Sequence, residues 1–299
     1  MIKNQIGFYE LLKSPKLIIL DGAMGTELQR RGYNTTLPLW SAKANTEAPE
    51  LVKQIHLDFI AAGADVITTN TFRTTKRTFE KASIPEMAVE SSKKAVAIAK
   101  AAAKESKRKV FIAGSVTTLE DCYEPKLVPD EKTLEKEHSF QIEMLVSLGV
   151  DFILAETINS VKEANVIAGY LEKINFPFCI SFVSDGKGNL LSGESIKVAV
   201  ETIKKYKPLA VLLNCRSLEI SHKDFHFLKN CYDGPTGIYA NGCGKPEDNL
   251  GWSFEGCINP LEQYVRFAEK WIEEGVKIIG GCCGTTPEYI KCVAQAAPK

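Results

Sequence analysis

The stretch Val276-Lys277-Ile278-Ile279-Gly280-Gly281-Cys282-Cys283-Gly284 joins a short apolar run to two adjacent cysteines that lie between glycines. The apolar run is typical of a buried strand, and the glycines permit a sharp turn directly after it. Such a turn can direct two successive thiols toward one point, and convergent thiolates are typical ligands of a soft metal such as zinc. The stretch therefore predicts a strand that ends at a metal site, for which the rest of the chain must supply another ligand.

Similar apolar, β-branched runs, each followed by polar or glycine-rich residues, precede this stretch along the whole chain. They lie at 17–20, 65–69, 110–113, 151–155, 178–183, 210–213 and 236–240. Continuous apolar runs suit strands that are buried on both faces, as in a parallel sheet. Helical patterns separate them, at 49–62, 88–103, 134–148, 160–174, 196–205 and 261–274. Glycines at 63, 149 and 275 follow three of these patterns and indicate helix ends.

Strand and helix patterns alternate from end to end, and no linker, low-complexity tract or charge block divides the chain. We therefore predict a single domain over residues 1–299, of the α/β class and folded as a (β/α)₈ TIM barrel. An open doubly wound sheet is the alternative, because right-handed crossovers are compatible with both.

Composition limits the classes of function. The formal net charge is zero, with 37 basic and 37 acidic residues and no basic block, so we expect neither a nucleic-acid partner nor an anionic membrane partner. No apolar run is long enough to span a bilayer, and the N-terminus lacks the features of a secretory signal. We therefore expect a cytoplasmic protein, whose nine cysteines are free or metal-bound thiols rather than disulfides.

Unusual polar residues directly follow the predicted strands. In a barrel of this type the active site lies at the C-terminal ends of the strands, where these residues would meet. They are Asp21, Asn70, Glu156, Asn214, Cys215, Asn241, Cys282 and Cys283.

Cys215 is the natural third ligand for the metal, because it emerges at the end of the sixth strand, two strands from Cys282 and Cys283. Three thiolates leave the fourth tetrahedral position open, which is typical of a catalytic zinc rather than a structural one. Cys122 and Cys243 also follow strands, and whether either adds a further sulfur stays open.

The carboxylates of Asp21 and Glu156 could bind a substrate ammonium group through charge-assisted hydrogen bonds. The alternatives are a turn at Asp21-Gly22 and an ordinary hydrogen-bonded residue at Glu156. The four histidines lie in helical or helix-adjacent stretches, and no histidine-based site is predicted.

Aromatic residues cluster near the expected barrel mouth. Their electron-rich faces could attract a cationic methyl donor, and simple loop packing is the alternative. These residues are Trp40, Phe72, Tyr239, Trp252 and Phe254.

Taken together, the motifs resemble those of the homocysteine S-methyltransferase family, which includes S-methylmethionine- and betaine-dependent enzymes and the homocysteine module of methionine synthase. The resemblance covers nearly the whole chain, in the family's order. It rests on Asp21-Gly22-Ala23-Met24-Gly25-Thr26, Leu39-Trp40, Thr69-Asn70-Thr71-Phe72, Ala155-Glu156, Asn214-Cys215 and Gly280-Gly281-Cys282-Cys283-Gly284.

The resemblance implies a barrel whose Zn²⁺ is held by Cys215, Cys282 and Cys283, with Asp21 and Glu156 holding the amino group of homocysteine. It also implies that Asn70, Asn214 and Trp40 line the substrate pocket. Homocysteine sulfur would occupy the open zinc position and lose its proton there. It would then attack a donor methyl group to give methionine, with no catalytic residue beyond the zinc centre.

The sequence constrains the identity of the methyl donor less than it constrains the metal and homocysteine sites. The chain ends about fifteen residues after the cysteine pair, so no attached folate or cobalamin module is expected, and S-methylmethionine or S-adenosylmethionine is favoured. Residues 37–42 look like the S-methylmethionine branch, whereas residues 69–72 look like the methionine-synthase module. Arg73 stands where betaine enzymes carry an aromatic residue, which disfavours betaine.

Three alternatives stay open. One is a corrinoid or folate partner that supplies the methyl group in trans. Another is a different small thiol or selenol acceptor, such as selenocysteine. The third is a non-enzymatic barrel that stores zinc or senses thiol oxidation.

Overall fold

The computed structural model describes residues 2–247, 250–255 and 260–298, and its central feature is a barrel of parallel strands. The strands are β1 (Ile18–Ile19), β2 (Val66–Thr68), β3 (Phe111–Val116), β4 (Phe152–Ile158), β5 (Phe178–Phe182), β6 (Ala210–Asn214), β7 (Thr236–Tyr239), β8 (Lys245–Glu247), β9 (Gly251–Ser253) and β10 (Ile278–Ile279).

Eight of these strands form one sheet, in the order β1-β10-β7-β6-β5-β4-β3-β2, with every pair parallel. A parallel bridge between Leu20 and Val66 joins β1 to β2 and closes the sheet. This closure confirms the (β/α)₈ barrel and excludes the open doubly wound alternative. Strands β8 and β9 form a separate antiparallel hairpin between β7 and β10, which the strand patterns did not predict.

Helices surround the barrel. They are α1 (Ile2–Lys13), α2 (Met24–Arg30), α3 (Ala44–Glu47), α4 (Pro49–Ala62), α5 (Lys76–Lys81), α6 (Met87–Glu105), α7 (Glu131–Ser147), α8 (Val161–Lys173), α9 (Ile196–Ile203), α10 (Leu218–Cys231), α11 (Pro260–Glu273) and α12 (Pro287–Ala296), with short 3₁₀ turns at Pro125–Leu127 and Lys204–Tyr206. Within the described ranges, no helix combines the length and the apolarity needed to cross a bilayer.

The strands are buried on both faces, which explains their continuous apolar runs. Side chains that point outward pack against the helices, and those that point inward fill the barrel. Helix α1 adds to the interior cluster through Phe8, whose ring stacks on Phe152 at a centroid distance of 4.2 Å and meets the edge of Phe111 at 5.3 Å. The barrel interior is therefore a packed core, and the candidate functional residues lie in the last residues of the strands, as Glu156 and Asn214 do, or in the loops that follow them.

His56 on α4 is a buried histidine with no hydrogen-bond partner at either ring nitrogen. Burial lowers its pKa to about 4. Below about pH 6.5 the unfolded chain binds a proton at this position that the folded chain does not. The contribution of His56 to stability is therefore present above about pH 6.5 and is lost as the pH falls toward 4.

We expect His56→Leu to remove this pH dependence. Between about pH 7 and about pH 4.5, the free energy of unfolding of the parent should fall by roughly 2–3 kcal/mol more than that of the variant. Urea unfolding of the metal-free proteins at both pH values measures the difference. Equal losses in parent and variant would show that His56 titrates normally in the folded protein.

Candidate metal and substrate site

Three cysteine sulfurs converge at the C-terminal end of the barrel. Cys215 directly follows β6, and Cys282 and Cys283 follow β10. The three sulfur atoms lie within 4.8 Å of one another. Cys215 has a positive φ of 60°, an uncommon conformation for a residue other than glycine, and such strain is concentrated at functional sites. The metal ligands expected from the sequence are thus brought together by strands that are separated only by β7.

The glycines around the cysteine pair are required by close backbone packing. Gly284 has a φ of 79°, and a Cβ atom there would lie 2.0 Å from the carbonyl oxygen of Cys243. The Cys282 amide donates to Ala240, and the Gly242 amide donates to the carbonyl oxygen of Cys283. The loops after β7 and β10 therefore hold each other in place, which fixes the direction of both thiols.

The three thiols form one electrostatic unit. Hydrogen bonds from the thiols of Cys282 and Cys283 lower the pKa of Cys215 well below that of an ordinary thiol. The same contacts with Cys215 raise the pKa values of Cys282 and Cys283. Three thiols this close together have the chemistry of a soft-metal site, because an ion such as zinc can replace their protons.

Tyr123, in the loop after β3, is a site residue that sequence reasoning missed. Its hydroxyl oxygen lies 3.1 Å from the sulfur and 3.2 Å from the carbonyl oxygen of Cys215. When the sulfur is a thiolate, the tyrosine hydroxyl is the donor. No motif marks this residue; its only signal was its position after the third strand, beside Cys122.

We expect Tyr123→Phe to weaken metal binding by about 10- to 100-fold, because partners that orient a ligand typically contribute that much to affinity. Competition with a chromogenic chelator measures the change. Tyr170→Phe, on the outer surface of α8, is the matched control and should bind as the parent does. An unchanged affinity in Tyr123→Phe would rule out a role for this hydroxyl at Cys215.

The other two cysteines considered as ligands, Cys122 and Cys243, differ in oxidation state. Cys122 is buried, and burial together with the neighbouring Cys215 raises its pKa well above the ordinary value. It lies close to the cluster but is not one of the three convergent residues. Cys243 is disulfide-bonded, which departs from the expectation of thiols without disulfides and removes Cys243 as an additional thiolate ligand.

An open cavity lies beside the sulfurs, and its empty space, together with the solvent at its mouth, is about 680 Å³. Its lining includes Asp21, Trp40, Asn70, Glu156, Tyr239 and the three cysteines. Of the eight polar residues expected at the strand ends, six therefore line this cavity together with Trp40. The other two do not line it: Asn214 lies in the wall behind the cavity, and Asn241 follows β7 outside it.

Two carboxylates face this cavity, the buried Asp21 and the partly buried Glu156, and neither forms an ion pair within the described part of the chain. Asp21 accepts hydrogen bonds from the amide (2.7 Å) and the hydroxyl (2.9 Å) of Thr68. Glu156 accepts from the hydroxyls of Ser115 and Tyr239. Burial raises the pKa of Asp21 to about 8 and that of Glu156 to about 7. Buried carboxylates without a counter-ion form a binding site for a cationic group such as an ammonium.

The two asparagines are already engaged by protein groups. Asn70 lines the cavity, but its amide bonds Ser41 and Asn45 and thereby joins the loops after β1 and β2. Asn214 points toward β4, where it bonds the amide and hydroxyl of Thr157. Its amide nitrogen is 4.0 Å from the sulfur of Cys282. Asn214 therefore braces the strand that carries Glu156 and does not line the cavity.

A second cavity, of about 910 Å³, opens onto the other side of the cluster and shares Cys215, Cys283, Trp40 and Phe72 with the first. Cys122 also lines this second cavity, together with further aromatic and charged residues. They are Tyr123, Trp252, Arg73, Asp121, Glu124 and Glu247. Phe254, the remaining aromatic residue expected at the mouth, does not line either cavity.

Comparisons with known proteins identify a family that this chain matches over most of its length. A model of the homocysteine S-methyltransferase family matches residues 18–297. The chain is 31% identical over 304 residues to a protein named homocysteine S-methyltransferase 2 from Arabidopsis thaliana, covering 92% of this chain and 91% of that protein. It is 30% identical over 315 residues to a selenocysteine methyltransferase from Astragalus bisulcatus, covering 94% and 92% of the two chains.

Among solved structures, the metallated form of the homocysteine methyltransferase MmuM from Escherichia coli superimposes with a TM-score of 0.83 at 27% identity. The match covers 96% of this chain and 98% of MmuM. The family match extends over the whole barrel, from β1 to α12, and includes the three convergent cysteines. The chain therefore belongs to the homocysteine S-methyltransferase family.

Proposed function

We propose that this protein is a zinc-dependent enzyme that transfers a methyl group from a small sulfonium donor to homocysteine. The observation that carries the proposal is the juxtaposition, in one cavity, of three convergent thiols and two carboxylates without a counter-ion. Homocysteine matches this arrangement, since it carries a thiol at one end and an ammonium group at the other.

The donor set fits zinc. Tetrahedral Zn–S bonds of about 2.3 Å place the sulfurs about 3.8 Å apart, and the three sulfurs already lie within 4.8 Å of one another. An all-sulfur set favours Zn²⁺ or Cu⁺ over magnesium and calcium. That the related MmuM structure is described as metallated supports a metal here. Bound zinc would lower the pKa of the substrate thiol, so that the nucleophilic thiolate predominates near neutral pH.

The residues of the chain bind and orient the two substrates. Asp21 and Glu156 would hold the ammonium group of homocysteine, which places its sulfur beside Cys215 and Cys282. Trp40 and Phe72 line both cavities and would exclude water from the reacting atoms. Because the thiolate needs no further deprotonation, we propose no general base, and orientation supplies the remaining rate enhancement.

The second cavity has the properties of a donor site. Four aromatic rings and three carboxylates surround it, and both kinds of group attract a sulfonium cation. Cys215 and Cys283 lie at its border with the first cavity, so a methyl group entering from this side would meet the substrate sulfur. S-methylmethionine and S-adenosylmethionine, the donors favoured from the sequence, both carry a methyl sulfonium.

Arg73 would bind the carboxylate of such a donor rather than repel its sulfonium. Its guanidinium lies over the ring of Phe72 and is 4.0 Å from the nearest carboxylate oxygen of Asp121. The distance to Asp121 is too long for a strong hydrogen bond, so the guanidinium can form a bidentate pair with a ligand carboxylate.

We expect Arg73→Gln to raise the KM for S-methylmethionine by about 10- to 150-fold, the range for losing a hydrogen bond to a charged group. The KM for homocysteine should not change. Arg77→Gln is the matched control, because the Arg77 side chain pairs with Glu120 and Glu137 outside the cavity. Trimethylsulfonium, which has no carboxylate, should react equally with parent and Arg73→Gln, and unequal rates would argue for a general structural defect.

Selenocysteine is the second candidate acceptor, because a relative that covers almost the whole chain is named a selenocysteine methyltransferase. A selenol would use the same metal position, and the two carboxylates would hold its ammonium group. Competition between homocysteine and selenocysteine at equal concentrations gives the ratio of their kcat/KM values. If kcat/KM is higher for homocysteine, the result supports the proposal. If it is higher for selenocysteine, the selenol is the substrate.

A panel of methyl donors tests the function directly. Homocysteine is the acceptor, methionine is the readout, and the donors are S-methylmethionine, S-adenosylmethionine, betaine and a methylcorrinoid protein. Turnover with a sulfonium supports the proposal, whereas turnover only with betaine or the corrinoid protein would contradict the proposed donor class. No turnover with any donor, together with reversible metal loss on oxidation, would favour the redox-sensing barrel.

A further inference from the structure

A second group of metal-ligating side chains lies on the outer wall of the barrel, between α10 and α11. His222 and His226 are one turn apart on α10 and share a face, and Glu274 directly follows α11. One ligand atom from each of the three residues lies within 4.8 Å of the others. In the described part of the chain, this group and the three cysteines are the two clusters with such geometry.

The hydrogen bonds of His226 leave one ring nitrogen directed at Glu274. Its Nδ1 donates to the carbonyl oxygen of His222 at 2.8 Å, so Nε2 carries the free lone pair. This Nε2 is 3.5 Å from Oε1 of Glu274, which is long for a hydrogen bond. Two ligands of one tetrahedral ion, each about 2.0–2.2 Å from it, lie about 3.3–3.5 Å apart.

Two polar atoms of the group are buried without a partner. They are Nδ1 of His222 and Oε2 of Glu274. Buried polar atoms in folded proteins nearly always have a hydrogen-bond partner, and the exceptions call for an explanation such as a missing ion. A cation between the two helices would satisfy both atoms.

We propose that His222, His226 and Glu274 form a second metal site, which binds a divalent transition-metal ion through two imidazole nitrogens and a carboxylate. Imidazole with carboxylate suits Zn²⁺, Ni²⁺ and Co²⁺. The ion would join α10 to α11. Helix α10 follows β6, the strand before Cys215, and α11 precedes β10, the strand before Cys282. The ion would therefore stabilise the wall behind the sulfur cluster.

The surroundings hold the ligands in place and limit the affinity. The ring of Phe267 meets that of His222 edge-on at 5.4 Å, and Lys229 donates to the backbone carbonyl of Glu274. Burial lowers the pKa of His222, the charge of Glu274 opposes this shift, and the charges of His226 and Lys270 add to it. The same lysine repels a dication, and we therefore expect micromolar rather than nanomolar binding.

A calorimetric titration of the zinc-loaded enzyme with Ni²⁺ tests the site. Ni²⁺ suits imidazole ligands, and the cysteine site is already filled. We expect one Ni²⁺ per chain in the parent, and binding at least about 10- to 100-fold weaker in His226→Gln and in Glu274→Gln. Glu273→Gln removes the same charge at the neighbouring, exposed position and should bind as the parent does.

Thermal unfolding supplies a second readout, because a ligand that binds only the folded state raises Tm. Ni²⁺ should raise Tm in the parent and in Glu273→Gln, and should leave it unchanged in His226→Gln. Half of the His226 side chain is exposed (54%), so this variant is expected to fold. Absence of Ni²⁺ binding in the parent, or equal binding by parent and His226→Gln, would overturn the proposal.

Discussion

We expect Cys282→Ala to abolish retention of the metal and to lower kcat/KM for methyl transfer by at least about three orders of magnitude. Loss of one thiolate leaves two protein ligands, which is too few for a zinc site. Without the metal, the substrate thiol is largely protonated at neutral pH and is a weak nucleophile. Metal activation typically contributes several kcal/mol, and each 1.36 kcal/mol corresponds to a tenfold rate. Cys215→Ala and Cys283→Ala should behave in the same way.

Metal content by mass spectrometry and steady-state rates measure the effect. Cys122→Ala is the matched control, because this thiol is also buried and also lines the second cavity, but it is not one of the convergent residues. We expect it to retain about one zinc per chain and most of the activity. Full activity in a metal-free Cys282→Ala protein would contradict the zinc-dependent mechanism.

The second large effect concerns the two carboxylates of the substrate cavity. We expect Asp21→Asn and Glu156→Gln each to lower kcat/KM for homocysteine by about 10- to 150-fold, the range for losing a hydrogen bond to a charged group. The acceptor 4-mercaptobutanoate, which lacks the amino group, should react slowly with the parent. Its kcat/KM should fall little further in either variant. Equal losses with both acceptors would show that the carboxylates do not bind the ammonium group.

The pH dependence has a definite sign. Because burial raises the pKa values of Asp21 and Glu156 to about 8 and about 7, the substrate-free site holds protons near neutrality. Binding of an ammonium group favours the ionised carboxylates, so kcat/KM for homocysteine should rise with pH through this range in the parent and more weakly in the variants.

The same pKa shifts affect stability. Raised carboxylate pKa values give stability that is present below about pH 4 and is lost as the pH rises through 7 to 8. Asp21→Asn should therefore raise the Tm of the substrate-free protein at alkaline pH while it lowers activity. Asp121→Asn, in the second cavity, is the matched control and should leave the homocysteine kinetics unchanged.

Much of this site could be predicted from the sequence because strand ends determine it. Cys215 and Cys282 each lie within three residues of the end of an apolar run, and parallel strands bring their C-terminal ends to one edge of the barrel. The structure places their sulfurs together for that reason. Asp21 and Glu156 follow from the same rule. The observed strand bounds differ from the patterns: β10 is shorter, whereas β4 and β6 extend far enough to include Glu156 and Asn214, which were expected just after them.

What the sequence did not reveal depends on contacts between distant loops. Tyr123 reaches Cys215 across 92 positions of sequence, and no local pattern indicates such a contact. The side chain of Asn214 bonds Thr157 and Ser181 on other strands of the barrel, and these partners are also distant in sequence. The histidine cluster was missed because Glu274 meets His222 and His226 only after α10 and α11 pack together.

The central claim is that the open position of a three-thiolate zinc site receives the substrate sulfur. X-ray absorption at the zinc edge of the loaded enzyme, recorded with and without homocysteine, tests this claim most directly. We predict about three sulfur ligands and one oxygen or nitrogen ligand without homocysteine, and about four sulfur ligands with it. A coordination shell that homocysteine leaves unchanged would contradict the claim.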